Sequence, residues 1–404
     1  MMPFHKKVGI EVDVYKKLQE LGITKYKVID KQAIEEITLG AAILATGGGG
    51  NPEIGRLWAL KVLDEGKDIV LVDPADIPDD TYIACPTPLG SSIVLTEKPP
   101  NAKVCEHAIR KLEAYVGKEV QATIPLECGG VASTITYAVA GELGLPIIDA
   151  DGMGRAFPEI HMTSWGTHGV SPTPTVSCDD RLNTTVIDTQ DNHLMAESIA
   201  RKTSMSYGGI SWIATYGMTG RQMKDTSIIK SQSVAWDIGK AVINARKNHH
   251  VPAEEIISSY KEPQNLKGYK IFNGKVTDIQ REFGGELQKG FTLGTLVMEG
   301  INEDAGKVAT LDFQNEWLNI KIDDQIECTT PDLIIIVDTA TGDPIRTDNV
   351  KYGYRGTVIL LAAQDRMRTE KGIESFGPRY FGYDIDYVPV EEIQEKQSIG
   401  NSIL

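Results

Sequence analysis

The densest run of polar residues in the chain begins with Asp149 and Asp151 and continues through Arg155, Glu159 and His161. It follows an apolar segment typical of a buried strand, and in open α/β sheets ligands bind where such strands end. Carboxylates can serve as general acids or bases, and a planar guanidinium suits a substrate carboxylate. The pattern predicts Asp151 and Glu159 as catalytic and Arg155 as substrate-binding. A turn cap at Asp149 or an Arg155–Glu159 pair would also explain it.

A further carboxylate, Glu127, ends another apolar segment and directly precedes Cys128, Gly129 and Gly130. Glu127 could abstract a proton, while the glycine N–H groups could hold a developing charge on a carbonyl oxygen. We therefore predict Glu127 as catalytic and both glycines as substrate-binding, the alternative being a carboxylate that only favours a helix start. A Cys128 thiolate would be a nucleophile, but the sequence shows no histidine partner, and a small buried thiol is commoner.

Four consecutive glycines, Gly47–Gly50, precede Asn51 and a proline. Such a run costs backbone entropy and suits a sharp turn or a close approach of backbone N–H groups to a ligand. We predict that Gly48, Gly49 and Gly50, together with Asn51, contact the substrate. The run lacks the lysine of a P-loop and the strand that leads into a dinucleotide motif, so a nucleotide cofactor is not supported.

Oxygen-rich side chains with one or two histidines also suit a divalent metal such as zinc or manganese. The candidate ligands are Asp149, Asp151, His161 and His168. Neither an H-x-x-x-H motif nor paired cysteines support them. The metal is therefore an expectation from residue type and not from spacing.

These residues need a scaffold, and the first part of the chain alternates apolar strands with helices at the spacing of a layered α/β domain. After an N-terminal extension (residues 1–29), we predict an α/β domain over residues 30–178 with a largely parallel sheet. The glycine run lies between two predicted helices of this domain.

The second part, residues 179–390, is predicted as a mixed C-terminal domain, followed by a tail over 391–404. Helices are expected over 185–260, separated by a glycine-rich break at 207–220. Short alternating segments over 267–362 indicate a β-rich sandwich or barrel-like unit.

One polar segment of that unit, Phe313–Glu316, follows an apolar strand. The end of an edge strand explains it more simply than catalysis does. We therefore assign Glu316 no catalytic role from the sequence.

Composition narrows the classes of function. The chain has 404 residues and a net charge of −15, which disfavours a nucleic-acid partner. No apolar run approaches the roughly 18 residues that span a bilayer, and the five scattered cysteines are typical of a reducing compartment. We expect a cytoplasmic protein that binds a small molecule and neither nucleic acid nor membrane, with a homo-oligomer left open.

Several segments resemble the S-methyl thiohydantoin desulfurase-like family, which is linked with hydantoin utilisation. They span about residues 30–390 and are residues 40–52, 96–98, 127–130, 149–159, 314–316, 331–334 and 381–384. The resemblance implies an α/β N-terminal domain, a β-rich C-terminal domain, and chemistry on a five-membered cyclic ureide or its sulfur analogue. The chain departs from the family pattern at Asn51, Cys128 and His161, which argues against a shared Cys128 nucleophile and a family-wide His161 ligand.

From these residues and this resemblance we predict a hydrolase that acts on a hydantoin-like ring. Water activated by Glu127 or Asp151 would attack C2, a thiol would leave, and glycine N–H groups would hold a ring carbonyl oxygen. Two alternatives stay open. One is a subunit of a hydantoin or oxoproline hydrolase that needs a partner, and the other is a non-catalytic protein that binds a ureide.

Overall fold

The computed structural model describes residues 13–98, 101–264, 266–282 and 291–401. Its α-helices are α1 (Val14–Glu20), α2 (Lys31–Leu44), α3 (Glu53–Asp64), α4 (Ser92–Glu97), α5 (Ala102–Val116), α6 (Gly130–Leu143), α7 (Ser164–Thr167), α8 (His193–Ser206), α9 (Gly220–Thr226), α10 (Ser231–Asn248), α11 (Pro252–Gln264), α12 (Glu370–Phe376) and α13 (Val390–Asn401). Its strands are β1 (Lys27–Val28), β2 (Val70–Val72), β3 (Tyr82–Gly90), β4 (Ala122–Thr123), β5 (Ile147–Ile148), β6 (Ala150–Asp151), β7 (Thr175–Cys178), β8 (Thr184–Ile187), β9 (Ile210–Thr219), β10 (Ile228–Ile229), β11 (Gly268–Glu282), β12 (Leu293–Gly300), β13 (Val308–Gln314), β14 (Glu316–Ile322), β15 (Gln325–Thr329), β16 (Leu333–Asp338) and β17 (Arg355–Leu361). Within the described ranges, every helix is too short or too polar to cross a membrane.

The first sheet has eight strands in the order β1-β2-β5-β4-β3-β9-β7-β8. Its centre, β2-β5-β4-β3, is parallel, and the strands on either side pair antiparallel. Successive strand residues, such as Val70 and Leu71, pack into two different apolar cores. Both faces of the sheet are therefore covered, as parallel strands require. This confirms the predicted α/β fold with a largely parallel sheet.

The glycine-rich break predicted at 207–220 is wrong, because most of it forms strand β9. This strand pairs antiparallel with β3 inside the first sheet. Gly208 and Gly209 have positive φ and make only the turn that leads into the strand. The first sheet consequently takes strands from both sides of residue 178.

The second sheet has seven antiparallel strands in the order β15-β14-β13-β12-β11-β17-β16 and curls into a half-barrel. Phe272, Phe313 and Trp317 pack in its apolar core. This confirms the predicted mixed C-terminal region with a barrel-like β unit. The sequence does not reveal β14, because a tight turn at Asn315, with φ 57°, places its start inside a polar segment.

The two sheets meet where the loop after α2 reaches the start of β14. The Trp317 N–H donates to the Thr46 carbonyl oxygen at 2.8 Å, and the Thr347 N–H donates to the Gly47 carbonyl oxygen at 2.9 Å. These bonds hold the glycine run against the second sheet. The candidate site lies at this junction.

Candidate functional site

A cavity of about 120 Å³, here named the junction pocket, lies between the glycine run and the second sheet. An apolar cavity of about 150 Å³ holds benzene, so the junction pocket has the size of one small ring. Its lining combines backbone, carboxyl and apolar groups. The lining residues are Gly47–Gly50, Thr87–Gly90, Leu95, Leu126, Glu127, Val131, Ala132, Phe157–Ile160, Arg201, Ile210, Thr292, Asn315, Glu316, Thr347 and Asp348.

The glycine run forms one wall of the junction pocket. A Cβ atom on Gly48 would lie 2.0 Å from Glu316 Oε1, and one on Gly130 would lie 2.1 Å from the Gly49 carbonyl oxygen. Both distances are shorter than any normal contact of a Cβ atom, so neither position has room for a side chain. Close packing against β14 and the start of α6 therefore requires glycine at these positions, whatever contact they make with a ligand.

Glu316 is the first residue of β14 and lines the junction pocket with a side chain that is only 2% exposed. The Gly49 N–H donates to its Oε1 at 3.1 Å, whereas its buried Oε2 has no hydrogen-bond partner among the described residues. Burial raises the pKa of Glu316 to about 7. A carboxyl group with this pKa and an unbonded oxygen can take up and release a proton near neutral pH.

Glu127 lines the same pocket from the segment between β4 and α6. The Phe157 N–H donates to its Oε2 at 3.2 Å. Burial raises the pKa of Glu127 well above its usual range, and the nearby charge of Glu316 adds to the effect. Two carboxyl groups with different pKa values can divide the roles of acid and base between them.

Glu159 also lines the junction pocket, and its polar neighbours come from both halves of the chain. The Tyr380 OH donates to Glu159 Oε2 at 2.8 Å and lies 3.2 Å from His161 Nε2. His161 Nδ1 in turn lies 3.5 Å from Glu159 Oε2. The structure thus brings Glu159 and His161 together and adds Tyr380 to them.

Arg201, in α8, contributes a cation to the lining of the pocket. Its Nε donates to Glu197 Oε1 at 2.5 Å, and its Nη2 donates to the Pro158 carbonyl oxygen at 3.1 Å. Its guanidinium also lies 4.6 Å from the centre of the Phe291 ring. The protein therefore holds this cation in place on several sides.

Arg155, which the sequence predicts as substrate-binding, is not among the described residues that line the junction pocket. Its side chain is 1% exposed, and burial lowers its pKa to about 10. Its hydrogen bonds go to five acceptors of the protein, which are Thr46 Oγ1 and the carbonyl oxygens of Ala156, Trp317, Pro331 and Asp332. A guanidinium has five N–H donors, so Arg155 is fully engaged in joining the two halves of the molecule.

The two aspartates of the same run also bond to the protein. Asp151 Oδ2 accepts hydrogen bonds from the backbone N–H groups of Cys128, Met153 and Gly154, at 2.5, 3.0 and 2.8 Å. Burial raises the pKa of Asp151 to about 7. Asp149 accepts an N–H at 2.9 Å and a hydroxyl at 2.5 Å from the first turn of α10. Neither aspartate is among the described lining residues.

The remaining predicted substrate contacts lie around the glycine run and not in the described lining of the pocket. Gly129 and Gly130 pack behind the run. Asn51 accepts a hydrogen bond at 3.2 Å from an N–H in the first turn of α3. The thiol of Cys128 is buried and donates to the Ser231 carbonyl oxygen at 3.2 Å, an arrangement that does not favour a nucleophile.

The four predicted metal ligands each have hydrogen-bond partners within the protein. His168 Nδ1, for example, lies 2.8 Å from the Ser164 carbonyl oxygen. Across residues 13–98, 101–264, 266–282 and 291–401, no three His, Cys, Asp or Glu side chains form a group that could hold a metal ion. The divalent metal therefore stays a prediction from residue type, and we derive no step through one.

Glu316 and Arg201, which line the junction pocket, and the neighbouring Tyr380 are among the residues that the sequence did not point to. Glu316 carried a signal, since the resemblance includes residues 314–316. Arg201 is four residues from Glu197 on one helix, a spacing that is common for surface ion pairs and therefore uninformative.

The chain matches known domains over most of its length. The N-terminal domain described as S-Me-THD-like matches residues 32–189, and the C-terminal domain described as S-Me-THD-like matches residues 190–390. The chain belongs to the S-Me-THD-like family. This membership confirms the resemblance to S-methyl thiohydantoin desulfurase-like proteins seen in the sequence.

One solved structure supports the fold of this S-Me-THD-like protein. The crystal structure of a protein from Chromobacterium violaceum is 22% identical, with a TM-score of 0.75, and the match covers 91% of this chain and 100% of that chain. At this identity the likeness concerns the fold alone. No curated protein matches the chain.

Proposed function

We propose that this S-Me-THD-like protein is a hydrolase that releases a thiol from an S-methyl thiohydantoin. The observation that carries the proposal is the pair Glu127 and Glu316, two buried carboxyl groups that line one ring-sized pocket. Their pKa values are both raised by burial, with Glu316 at about 7 and Glu127 raised well above its usual range. Family membership supports chemistry on a thiohydantoin-like ring.

In this proposal Glu316 is the general base, because its Oε2 is available to accept a proton from water. The water oxygen attacks ring C2 and its proton passes to Glu316. The C2–S bond then breaks, and Glu127, whose pKa burial raises well above its usual range, gives its proton to the departing methanethiolate. Glu316 then gives the proton it accepted to the ring nitrogen, and the second water proton passes to Glu127 as the C2 carbonyl forms. The products are a hydantoin and methanethiol, and both carboxyl groups return to their starting states.

The glycine wall would hold the ring through the N–H groups of Gly47 and Gly50, because those of Gly48 and Gly49 donate to the Ala45 carbonyl oxygen and to Glu316 Oε1. Negative charge develops on the ring during attack at C2, and N–H groups fixed in advance stabilise such charge without reorganisation. Glu159, bonded to the Tyr380 OH, would accept a ring N–H and so orient C2 towards Glu316. The Asp149–Arg155 segment has no place in these steps.

The decisive chemistry can be followed in water enriched in ¹⁸O. The purified protein should release methanethiol from an S-methyl thiohydantoin, and mass spectrometry should find one ¹⁸O atom in each hydantoin formed. Saturable binding of the ring without thiol release would overturn the hydrolase and favour a non-catalytic ureide-binding protein. Thiol release that begins only when a second protein is added would favour the partner-dependent alternative.

A further inference from the structure

Thr46, the residue before the glycine run, has an unusual backbone. Its φ is 49°, in the left-handed region, and its side chain is fully buried. A β-branched residue rarely adopts this conformation, because its Cβ substituents crowd the backbone. Surrounding contacts must therefore hold Thr46 in place.

Two residues that are distant in the sequence supply such contacts. Arg155 Nη2 donates to Thr46 Oγ1 at 2.8 Å, and the Trp317 N–H donates to the Thr46 carbonyl oxygen at 2.8 Å. Arg155 Nη2 also donates to the Trp317 carbonyl oxygen at 3.1 Å. One guanidinium group thus links Thr46 of the first half to the second residue of β14.

The linked segments are those that meet at Glu316. This residue precedes Trp317 in β14, and its Oε1 accepts the Gly49 N–H, three residues beyond Thr46. The Gly49–Glu316 hydrogen bond therefore joins two chain segments, and Arg155 bonds to a residue in each of them, Thr46 in one and Trp317 in the other.

We infer that Arg155 is a positioning residue, which fixes Thr46 and Trp317 so that the glycine run holds Glu316 in its reactive orientation. The inference rests on the proposed function, in which Glu316 is the base. Arg155 acts without touching the substrate. A substitution at Thr46 can remove its hydrogen bond to Thr46 Oγ1 and leave its other four hydrogen bonds in place.

The test uses three substitutions at Thr46 in the full chain. Thr46→Val removes the oxygen that accepts from Arg155 and keeps the branched shape, whereas Thr46→Ser keeps the oxygen. Thr46→Gly removes the oxygen but takes the left-handed conformation without strain, so it folds even where valine does not. Thr136→Val is the matched control, since Thr136 is equally buried and bonds only within α6.

Two measurements are made on each variant, the kcat and KM of thiol release and the hydrogen–deuterium exchange of residues 44–52 and 315–319. In Thr46→Val and Thr46→Gly we expect kcat to fall about 10²-fold while KM changes little, because misplacement of a reacting group acts on the chemical step. Both segments should exchange faster. Thr46→Ser and Thr136→Val should resemble the wild type in both measurements.

Unchanged kcat in Thr46→Val and Thr46→Gly, or an equal loss in Thr46→Ser, would overturn the inference. The exchange measurement needs no substrate, so it separates the two proposals. If the wild type releases no thiol, the proposed function fails, and exchange that is faster in Val and Gly but not in Ser still supports the positioning by Arg155. Equal exchange in all variants overturns the positioning even when the wild type is active.

Discussion

The Asp149–Arg155 segment and the junction pocket both bury charged side chains, but of these only the charged side chains of the pocket are among the described residues that line a cavity. In the segment, Arg155 uses five N–H donors on protein acceptors, and Asp151 accepts three backbone N–H groups through Oδ2 while its buried Oδ1 has no partner among the described residues. In the pocket, Glu316 has one bonded oxygen and one buried oxygen without a partner among the described residues.

This difference separates structural from chemical roles. A buried charge whose hydrogen bonds are all made within the protein stabilises one arrangement of the chain. A buried carboxyl group that is only half bonded and also lines a cavity is available to a ligand, a combination typical of functional sites. Asp151 is equally half bonded, but it is not among the described residues that line the junction pocket. The Asp149–Arg155 segment joins the N-terminal and C-terminal parts of the chain through Arg155. The junction pocket, which lies where these parts meet, carries the proposed chemistry.

The largest expected effect is the loss of turnover in Glu316→Gln. Removal of a general base lowers the rate by about 10²- to 10⁴-fold, and kcat for thiol release should fall within that range. Glu36→Gln is the matched control, because Glu36 is also buried but bonds to Gln32 and Trp236 away from the pocket. Turnover in Glu316→Gln within tenfold of the control would contradict the role of Glu316.

A substitution in the Asp149–Arg155 segment should lower the stability of the protein and leave its turnover nearly unchanged. Asp151→Ala leaves three buried N–H groups unpaired, so the free energy of unfolding should fall by about 4 kcal/mol. Urea unfolding measures this loss, and Asp64→Ala, at an exposed ion pair with Lys31, should change it by less than about 1 kcal/mol. The folded fraction of Asp151→Ala should keep its turnover within tenfold. A loss as large as that of Glu316→Gln would make Asp151 part of the chemistry.

Glu316 should also make stability depend on pH. Its pKa is about 7 in the folded protein and 4.5 as the ordinary value, so the unfolded chain releases this proton first. Between about pH 4.5 and 7 the folded state binds more protons, and the free energy of unfolding therefore falls as pH rises, by about 3 kcal/mol in total. Above pH 7 both states are ionised and the difference stays constant.

Urea unfolding at pH 5 and pH 8 tests this linkage in the wild type and in Glu316→Gln. The variant cannot ionise at this position, so it should lose less stability between the two pH values. Parallel behaviour of both proteins would show that Glu316 is already ionised at pH 5 in the folded state.

The smallest expected effect is that of Cys128→Ser. The thiol is buried, burial raises its pKa well above its usual range, and it bonds to a backbone carbonyl oxygen, not to the pocket. Its hydroxyl replacement can make the same bond, so kcat should stay within about twofold of the wild type. A loss of thiol release with the fold intact would restore Cys128 as a nucleophile.

Much of the fold follows from local pattern. Helix α2, which Asp30 caps, and the buried strand β2 follow from local pattern, because caps and apolar runs act over a few residues. Strand β9 was hidden by two glycines that make a turn, and β14 by the turn at Asn315. Both strands depend on pairing with distant segments, which the local pattern does not contain.

The candidate site was predictable only in part. Glu127, Glu159 and the glycine run line the junction pocket. The two carboxylates follow apolar segments predicted as strands, and the glycine run was predicted from the entropic cost of four consecutive glycines. Glu316 joins them from nearly 190 residues beyond Glu127, through the packing of one sheet against the other. The polar density of residues 149–155 drew the prediction to Arg155, because a sequence cannot distinguish groups bonded within the protein from groups left for a ligand.

The most direct test of the account is the pH dependence of kcat for thiol release from an S-methyl thiohydantoin. With Glu316 as the base, kcat should rise with pH through about 7, as this carboxyl group ionises. At higher pH it should fall as Glu127 loses the proton that the leaving sulfur needs. Glu316→Gln should remove the rise near pH 7. A rise near pH 7 that persists in Glu316→Gln would contradict the central claim.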